Sequence, residues 1–282
     1  GAAGEVADTI FKSQGFETLS INKDPDGNFP NHHPDPSKEK NLEQLKSAVQ
    51  ENGADIGFAF DGDGDRVGMI TNSGDSVLAD HLIMILSEHY LKKKKGAIIF
   101  DVKCSSQLPI LIENFGGTAI MEKTGHFNIK KAIKKYNAIL GGEMSGHIFI
   151  NHDWYGFDDA IYTAVMLAKV ISDTGQPVSS VIEQFPKTFT TPELNLDVDD
   201  VSKFKMVEKF KEQMKFPDAE FNTIDGVRVS IGNSWGLMRA SNTSPKLVFR
   251  FEAESKKDLE KIRSLFALNL KNIFPDLKLD FN

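Results

Sequence analysis

Three aspartates alternate with glycines in the segment Asp61–Asp65, and Arg66 follows directly. The apolar run 56–60 comes just before them, which is typical of a buried strand that ends in a loop. Carboxylates this close repel one another unless a cation lies among them, and the glycines allow the loop to turn all of them toward it. Because hard divalent ions prefer carboxylate oxygen, Asp61, Asp63 and Asp65 are predicted to bind Mg²⁺.

A calcium loop and a solvated turn are the alternatives for this segment. An EF-hand loop needs a carboxylate at its twelfth position. Counted from Asp61, that position is Asn72, and residues 67–71 are typical of a strand rather than a helix. A solvated turn would need neither the preceding apolar strand nor Arg66. Metal binding is therefore favoured over both.

Glycines and an acid also mark the segment 141–147, which follows another short apolar run. Its residues Glu143, Ser145 and His147 alternate, so they could present an acceptor, a hydroxyl and a titratable ring together. Sugar hydroxyls need such partners, and histidine suits proton transfer near neutral pH. A capping turn with a surface histidine explains the spacing equally well. Because both polar segments follow strands, we expect them to face one cleft.

Residues 239–245, Arg-Ala-Ser-Asn-Thr-Ser-Pro, could hold a phosphate. Arg239 can fork two phosphate oxygens, and the hydroxyls, the amide and the loop N–H groups supply further donors. The same residue types are common in turns, so composition alone slightly favours a polar turn between two strands. Lys103 and His126 also follow predicted strands, although each signal is weak by itself.

The chain has 282 residues, a net charge of −7 and a single cysteine, Cys104. The acidic balance argues against broad binding of nucleic acid or of anionic membranes. No apolar stretch approaches the roughly 20 residues that a membrane-spanning helix needs. Cys104 cannot form an internal disulfide and fits a reducing compartment, so a cytoplasmic location is expected.

Helix and strand patterns alternate through most of the chain and are typical of α/β layers with mostly parallel strands. One of these strands is expected at 17–21. The last part has short strands and charged helices, including one long strand at 188–198, and indicates an α+β fold. We therefore predict domains at 1–75, 76–187 and 188–282.

Together these segments resemble the α-D-phosphohexomutases, and the resemblance runs from end to end. The motifs that carry it are FDGDGDR (60–66), DVKCS (101–105), KTGH (123–126), GGEMSGH (141–147) and RASNTSPKLVFRFEA (239–253), with shorter runs at 29–36, 225–229 and 235–239. The methionine in GEMSGH is similar to the phosphomannomutase/phosphoglucomutase branch of the family.

The resemblance implies a fold and a set of site residues. It implies two mixed-sheet α/β domains followed by an α+β C-terminal domain, which correspond to domains two, three and four of the family. It also implies Mg²⁺ as the cofactor, held by the three aspartates. The substrate-binding residues it implies are Glu143 and Ser145 for sugar hydroxyls and Arg239, Ser241, Asn242 and Thr243 for the phosphate that does not react. It further implies that Arg66, Lys103, His126 and His147 line the transfer site, with Lys103 or a histidine as candidate general acid/base.

The implied activity is an isomerase reaction, an intramolecular phosphoryl transfer. Such enzymes interconvert hexose 1-phosphate and hexose 6-phosphate through a phosphoserine and a 1,6-bisphosphate, with mannose or glucose phosphates as substrates. The family's phosphoserine loop, similar to T-A-S-H-N-P, is absent from these 282 residues, as is the whole first domain. We therefore expect a fragment with negligible turnover by itself.

Two other functions are alternatives to a mutase. The first is a non-catalytic sugar-phosphate-binding fragment or pseudo-enzyme, which would keep the binding loops without the transfer chemistry. The second is a metal-dependent phosphatase, which would need an aspartyl nucleophile. Since all three loop aspartates are predicted metal ligands, the phosphatase is the less favoured of the two.

Overall fold

The structure, a computed structural model, describes residues 1–277 of the chain. It divides into two compact units, of which the first is Gly1–Phe185 and the second begins at Pro186. Within residues 1–277, no helix combines the length and the apolar character that crossing a membrane would require.

The first unit begins with a small antiparallel sheet. Its strands are β1 (Ile56–Phe60), β2 (Val67–Thr71) and β3 (Ser76–Val77), in the order β1-β2-β3. Helix α1 (Ala3–Ser13) precedes it, and helix α2 (Glu43–Asn52) follows a 3₁₀ turn at Glu39–Leu42. The expectation of mostly parallel strands is therefore wrong for this sheet, because the short 61–66 turn joins β1 and β2 as a hairpin.

The strand expected at 17–21 is also wrong, since these residues are irregular. Their alternating pattern offers almost no apolar face to bury: the side chain of Leu19 is 61% exposed. A strand pattern without a sheet edge and a buried face gains little from pairing.

The second sheet of this unit is mixed. It contains β4 (Ala97–Asp101), β5 (Thr118–Glu122), β6 (Leu140–Gly142) and β7 (Ile148–Ile150) in the order β5-β4-β6-β7. Strands β5, β4 and β6 are parallel, and β7 is antiparallel to β6. Its helices are α3 (Ala79–Lys93), α4 (Gln107–Asn114), α5 (His126–Tyr136), α6 (Ala160–Ser172) and α7 (Val178–Glu183). The carboxyl ends of β4, β5 and β6 therefore meet at one edge, where functional loops are expected.

One apolar core joins the two sheets of the first unit. It contains Val67 and Met69 of β2 together with Ile83 of α3, Phe100 of β4 and Leu140 of β6. Helix α6 packs on β1 and β2 as well as on β7. This shared core holds the loop after β1 and the loops after β4, β5 and β6 within a single packed body.

The second unit is an antiparallel sheet with two helices, as the α+β prediction requires. The strands are β8 (Phe189–Thr190), β9 (Leu194–Asp197), β10 (Glu220–Asn222), β11 (Val227–Ile231), β12 (Ser234–Ala240) and β13 (Lys246–Ala253). Their order is β10-β11-β12-β13-β8, and β9 also pairs with β13. Helices α8 (Lys203–Gln213) and α9 (Lys256–Ile273) share its core through Phe210 and Phe266. The single strand expected at 188–198 is instead two strands, because Pro192 has no N–H for the ladder.

Candidate functional site

The loop between β1 and β2, residues 61–66, is called the metal loop below. One carboxylate oxygen from each of Asp61, Asp63 and Asp65 lies within 4.8 Å of the other two. Asp61 is buried, and its Oδ1 accepts the backbone N–H groups of Gly64, Asp65 and Arg66 at 2.9, 3.0 and 3.2 Å. The alternation of acids and glycines thus folds into a tight turn around one carboxylate.

The charges of the metal loop fit a divalent cation. Burial, the hydrogen bond with Asp61 and the charges of Asp61 and Asp63 together raise the pKa of Asp65 to about 6. Burial acts against ionisation of Asp61 as well, but its bonds with Asp65 and Arg66 outweigh it and lower the Asp61 pKa. Asp65 Oδ1 is buried and has no hydrogen-bond partner among residues 1–277. Arg66 Nε lies 3.9 Å from this oxygen, too far for a hydrogen bond, so a bound cation would supply the close partner that it lacks.

Arg66 is held by carboxylates on both sides. Its Nε lies 2.7 Å from Asp61 Oδ2, and its Nη1 lies 3.1 Å from Asp35 Oδ1. Asp35 belongs to the proline-rich loop before α2 and was not among the predicted site residues, because 31 positions separate it from Arg66. The two carboxylates fix the direction of the guanidinium group beside the metal loop.

The end of β6 together with the turn that joins it to β7, residues 141–147, is called the sugar loop below. Glu143 is only 1% exposed, and its Oε1 accepts the N–H of Gly125 at 2.5 Å. Two backbone hydrogen bonds close the loop. Glu143 N–H donates to the carbonyl oxygen of His147 at 2.9 Å, and Gly146 N–H donates to the carbonyl oxygen of Glu143 at 3.0 Å. One carboxylate oxygen of Glu143, a residue predicted to bind the sugar, therefore holds the backbone of the loop that contains Gly125.

The metal loop and the sugar loop lie together, as expected from their strand-end positions. Val67 donates its N–H to the Gly146 oxygen at 3.1 Å, and Arg66 forms an antiparallel bridge with His147. His147 Nε2 lies 3.4 Å from Asp65 Oδ2. The predicted metal ligand and the predicted transfer-site histidine are thus in direct contact.

His147 is surrounded by acceptors. Its Nδ1 lies 2.8 Å from Ser145 Oγ and 3.3 Å from Glu143 Oε2. Burial opposes a charge on the ring, but the hydrogen bond and charge of Glu143, with the charges of Asp65 and Asp158, outweigh it and raise the His147 pKa. The His147 ring therefore binds a proton more readily than an ordinary histidine does.

The loop after β5, residues 123–126, is called the histidine loop below. His126 Nδ1 lies 3.1 Å from Asp158 Oδ2, and the other oxygen of Asp158 accepts from Lys130 Nζ at 3.0 Å. The His126 ring stacks on His147 with a centroid distance of 5.7 Å. Asp158 and Lys130 were missed by the sequence reasoning, and the pair of aspartates directly before α6 was the available signal.

The turn after β4, residues 102–106, is called the lysine loop below. Lys103 is only 7% exposed, and its Nζ lies 3.9 Å from Asp101 Oδ2. The lysine, histidine and sugar loops therefore gather at the carboxyl edge of the second sheet, while the predicted Asn242, Thr243 and their neighbours belong to the second unit.

The end of β12 together with the turn that joins it to β13, residues 239–245, is called the phosphate loop below. Arg239 is buried, its Nε donates to Asp225 Oδ2 at 2.9 Å, and its Nη2 is buried with no hydrogen-bond partner among residues 1–277. A phosphate oxygen is a suitable acceptor for this nitrogen. Asp225 was not among the predicted site residues.

The hydroxyl of Ser241 shapes the phosphate loop. Its buried oxygen accepts from Thr243 N–H at 3.3 Å and from the N–H and hydroxyl of Ser244 at 3.2 and 2.8 Å. Asn242 and Thr243 are exposed. Lys203 Nζ donates to the backbone carbonyl oxygen of Ser244 at 2.9 Å, which fixes the end of the loop next to β13. The buried Ser241 hydroxyl therefore stabilises the loop, and the side chains of Asn242 and Thr243 face solvent.

Three family models match the chain in succession. They describe the phosphoglucomutase/phosphomannomutase alpha/beta/alpha domain II at residues 1–74, the alpha/beta/alpha domain III at residues 79–189 and the C-terminal domain at residues 193–268.

Similar proteins support the same assignment. A phosphomannomutase/phosphoglucomutase of Pseudomonas putida is 50% identical over 282 residues, which is 100% of this chain and 61% of that protein. A phosphoglucomutase of Neisseria gonorrhoeae is 44% identical over 269 residues, which is 94% of this chain and 58% of that protein. The crystal structure of a phosphoglucomutase/phosphomannomutase family protein from Burkholderia thailandensis matches with a TM-score of 0.94 at 41% identity, over 100% of this chain and 60% of that one. The chain spans less than two thirds of the length of each relative, and it belongs to the phosphoglucomutase/phosphomannomutase family.

Proposed function

We propose that this chain carries the metal-, sugar- and phosphate-binding parts of a phosphohexomutase, which interconverts hexose 1-phosphate and hexose 6-phosphate through a phosphoserine and a 1,6-bisphosphate. The observation that carries the proposal is the contact between Asp65 Oδ2 and His147 Nε2 at 3.4 Å. It brings a carboxylate cluster suited to a cation next to a loop suited to a sugar. Phosphoryl transfer needs this combination, since charge neutralisation and positioning account for most of its catalysis.

The metal loop supplies the charge-neutralising part of the site. Asp61, Asp63 and Asp65 would hold Mg²⁺, which when bound neutralises charge on a transferring phosphoryl group. Asp61 has a second task, because its Oδ1 shapes the loop through the three backbone N–H groups that it accepts. Arg66 adds a fixed positive charge whose direction is set by Asp35 and Asp61.

The two histidines are the proposed proton carriers. His126 Nδ1 faces Asp158 Oδ2 at 3.1 Å, and a proton on this nitrogen would leave Nε2 to take a proton from a sugar hydroxyl. His147 has a raised pKa, which suits a proton donor near neutral pH. Lys103 is a further candidate, with Asp101 as its neighbouring carboxylate.

The sugar loop and the phosphate loop each carry proposed substrate contacts, and the proposed substrates are mannose and glucose phosphates. Glu143 and Ser145 are proposed contacts for sugar hydroxyls. Arg239 would bind the phosphate that does not react, through the Nη2 that has no hydrogen-bond partner among residues 1–277. Donors from Ser241, Asn242 and Thr243 would complete this pocket. The buried thiol of Cys104 is compatible with the proposed cytoplasmic location.

Binding and turnover test this function at two levels. The first measurement is calorimetric titration of the 282-residue chain with Mg²⁺ and glucose 1-phosphate, in which we expect binding that Asp63→Asn and Glu143→Gln weaken. The second is mutase turnover of the protein purified from its source organism. Binding with turnover supports the mutase, binding without turnover supports a non-catalytic sugar-phosphate protein, and absence of binding rejects both.

A further inference from the structure

Asp101 is the last residue of the central parallel strand β4, and its side chain is fully buried. Strands β5 and β6 flank β4, so the loops that follow them pass on either side of this carboxylate. None of the functions proposed above uses Asp101 directly. A buried carboxylate is costly unless hydrogen bonds and opposite charge compensate for it, so its partners indicate why it is there.

The carboxylate of Asp101 contacts all three loops at this edge of the sheet. Oδ1 accepts from Cys104 Sγ at 3.2 Å and from Met144 N–H at 3.4 Å. Oδ2 accepts from Thr124 Oγ1 at 3.2 Å and lies 3.9 Å from Lys103 Nζ. One side chain is thus shared by the lysine loop, the histidine loop and the sugar loop.

The surroundings of Asp101 raise its pKa, and burial is the largest cause. Burial raises the pKa of Asp101, the charge of Lys103 lowers it, and the charge of Glu143 raises it. Lys103 is therefore the cation that offsets the negative charge of Asp101. In turn, Asp101 supplies the counter-charge that keeps a nearly buried ammonium group beside the site.

We propose that Asp101 is a positioning residue, which aligns Lys103, the histidine loop and the sugar loop for hexose phosphate binding. This proposal rests on the proposed function of the same site. The role is distinct from that of Glu143, which links only the sugar loop to the histidine loop through Gly125. Asp101 links the lysine loop to these two loops and positions the ammonium group of Lys103.

Asp101→Asn is the most informative variant, because it keeps the shape of the side chain and the Oδ1 acceptor. The amide that replaces Oδ2 would point N–H donors at Thr124 and Lys103. The hydroxyl of Thr124 can turn to accept, whereas the ammonium group has no acceptor to offer. We expect this variant to weaken glucose 1-phosphate binding about tenfold, the loss typical of one charge-assisted hydrogen bond.

Glu122→Gln is the matched control. Glu122 ends strand β5 at the position paired with Asp101, but its carboxylate accepts the N–H of the adjacent Lys123. This change should leave glucose 1-phosphate affinity within about twofold of the original chain. Thr124→Val is a second probe of the same contact and removes the hydroxyl without altering the buried charge.

Amide ¹H–¹⁵N spectra and Mn²⁺ affinity separate positioning from general destabilisation. Asp101→Asn should shift the amide signal of Gly125, which Asp101 does not contact, and Thr124→Val should shift that of Met144 in the sugar loop. Both variants should leave the Asp63 amide and Mn²⁺ affinity unchanged. Retained glucose 1-phosphate affinity with unshifted loop signals in Asp101→Asn would overturn the proposal. If Asp101→Asn does not fold, the same result in Thr124→Val overturns it.

The outcome also distinguishes this proposal from the proposed function. If the original chain binds no glucose 1-phosphate, the proposed function fails. The amide shifts of Gly125 and Met144 then still decide whether Asp101 aligns the loops.

Discussion

Val67 donates its backbone N–H to the carbonyl oxygen of Gly146 at 3.1 Å, and this bond joins the metal loop to the sugar loop. Gly146 has a φ of +98°, and a Cβ at this position would lie 2.7 Å from the Val67 carbonyl oxygen. The close approach therefore depends on glycine for both its backbone conformation and its size. The distance between Asp65 and His147 follows from this contact.

Gly146→Ala should separate the two loops. The added methyl group would push the sugar loop away from Val67, so we expect glucose 1-phosphate affinity to fall about tenfold and Mn²⁺ affinity to fall less. Calorimetry measures both affinities.

Gly175→Ala is the control for this change. Gly175 has a φ of +65°, and beyond its chain neighbours no atom of residues 1–277 lies within 4 Å of the place that a methyl carbon would take. The substitution should therefore cost only backbone strain of about 1–2 kcal/mol. Equal binding losses in both variants would contradict the prediction.

Asp63→Asn should weaken metal binding with little effect on the fold. Asp63 is exposed, whereas Asp61 is buried and shapes the loop, so the change deletes one ligand oxygen and keeps the turn. We expect Mn²⁺ affinity, measured by electron paramagnetic resonance, to fall about tenfold with an unchanged melting temperature of the metal-free chain. Asp75→Asn, which alters another exposed acid after β2, should retain affinity. Full Mn²⁺ binding by Asp63→Asn would show that the metal loop does not hold the ion.

Arg239→Lys should weaken phosphate binding. A lysine ammonium cannot both keep the Asp225 contact that Arg239 Nε makes at 2.9 Å and offer a second nitrogen to a phosphate. We expect glucose 1-phosphate affinity to fall about tenfold in titrations of the chain. Arg263→Lys on α9, where Arg263 Nη1 donates to Glu260 Oε1 at 2.7 Å, provides the control. An unchanged affinity in Arg239→Lys would place the phosphate elsewhere.

His89 should make the stability of the first unit sensitive to mild acid. Burial, helped by the charge of Lys93, lowers the pKa of His89, and its buried Nε2 has no hydrogen-bond partner among residues 1–277. The unfolded chain therefore binds a proton more readily than the native chain, so stability is lost as pH falls below the ordinary histidine value of about 6.5.

Urea unfolding at about pH 7.5 and about pH 5.5 tests this dependence. His89→Gln should reduce the loss of unfolding free energy between the two conditions, because it removes the group that must gain a proton. His33→Gln, in the exposed loop before α2, should keep the original dependence. The same loss in His89→Gln as in the original chain would rule out His89 as its source.

Local patterns in the sequence predict most elements and the separate loops. The aspartate–glycine alternation predicts the metal loop because like charges and flexible residues at this spacing favour one arrangement, and the structure brings the three carboxylates within 4.8 Å. The strand at 17–21 is not formed, since the side chain of Leu19 stays largely exposed and gains little from burial. The roles of Glu143 and Arg239 in substrate binding and of Lys103 at the transfer site stay predictions.

What only the tertiary structure decided is which charged groups meet. Arg66 pairs with Asp35, His126 with Asp158, and Arg239 with Asp225, across 31, 32 and 14 positions of the chain. Sequence spacing gives no distance for such pairs, because the packing of the folded chain sets it. The alternation of aspartate and glycine in the sequence is enough to predict a loop that could bind a cation. The contact of Asp65 with His147 comes from the fold, in which Val67 pairs with Gly146 and Arg66 pairs with His147.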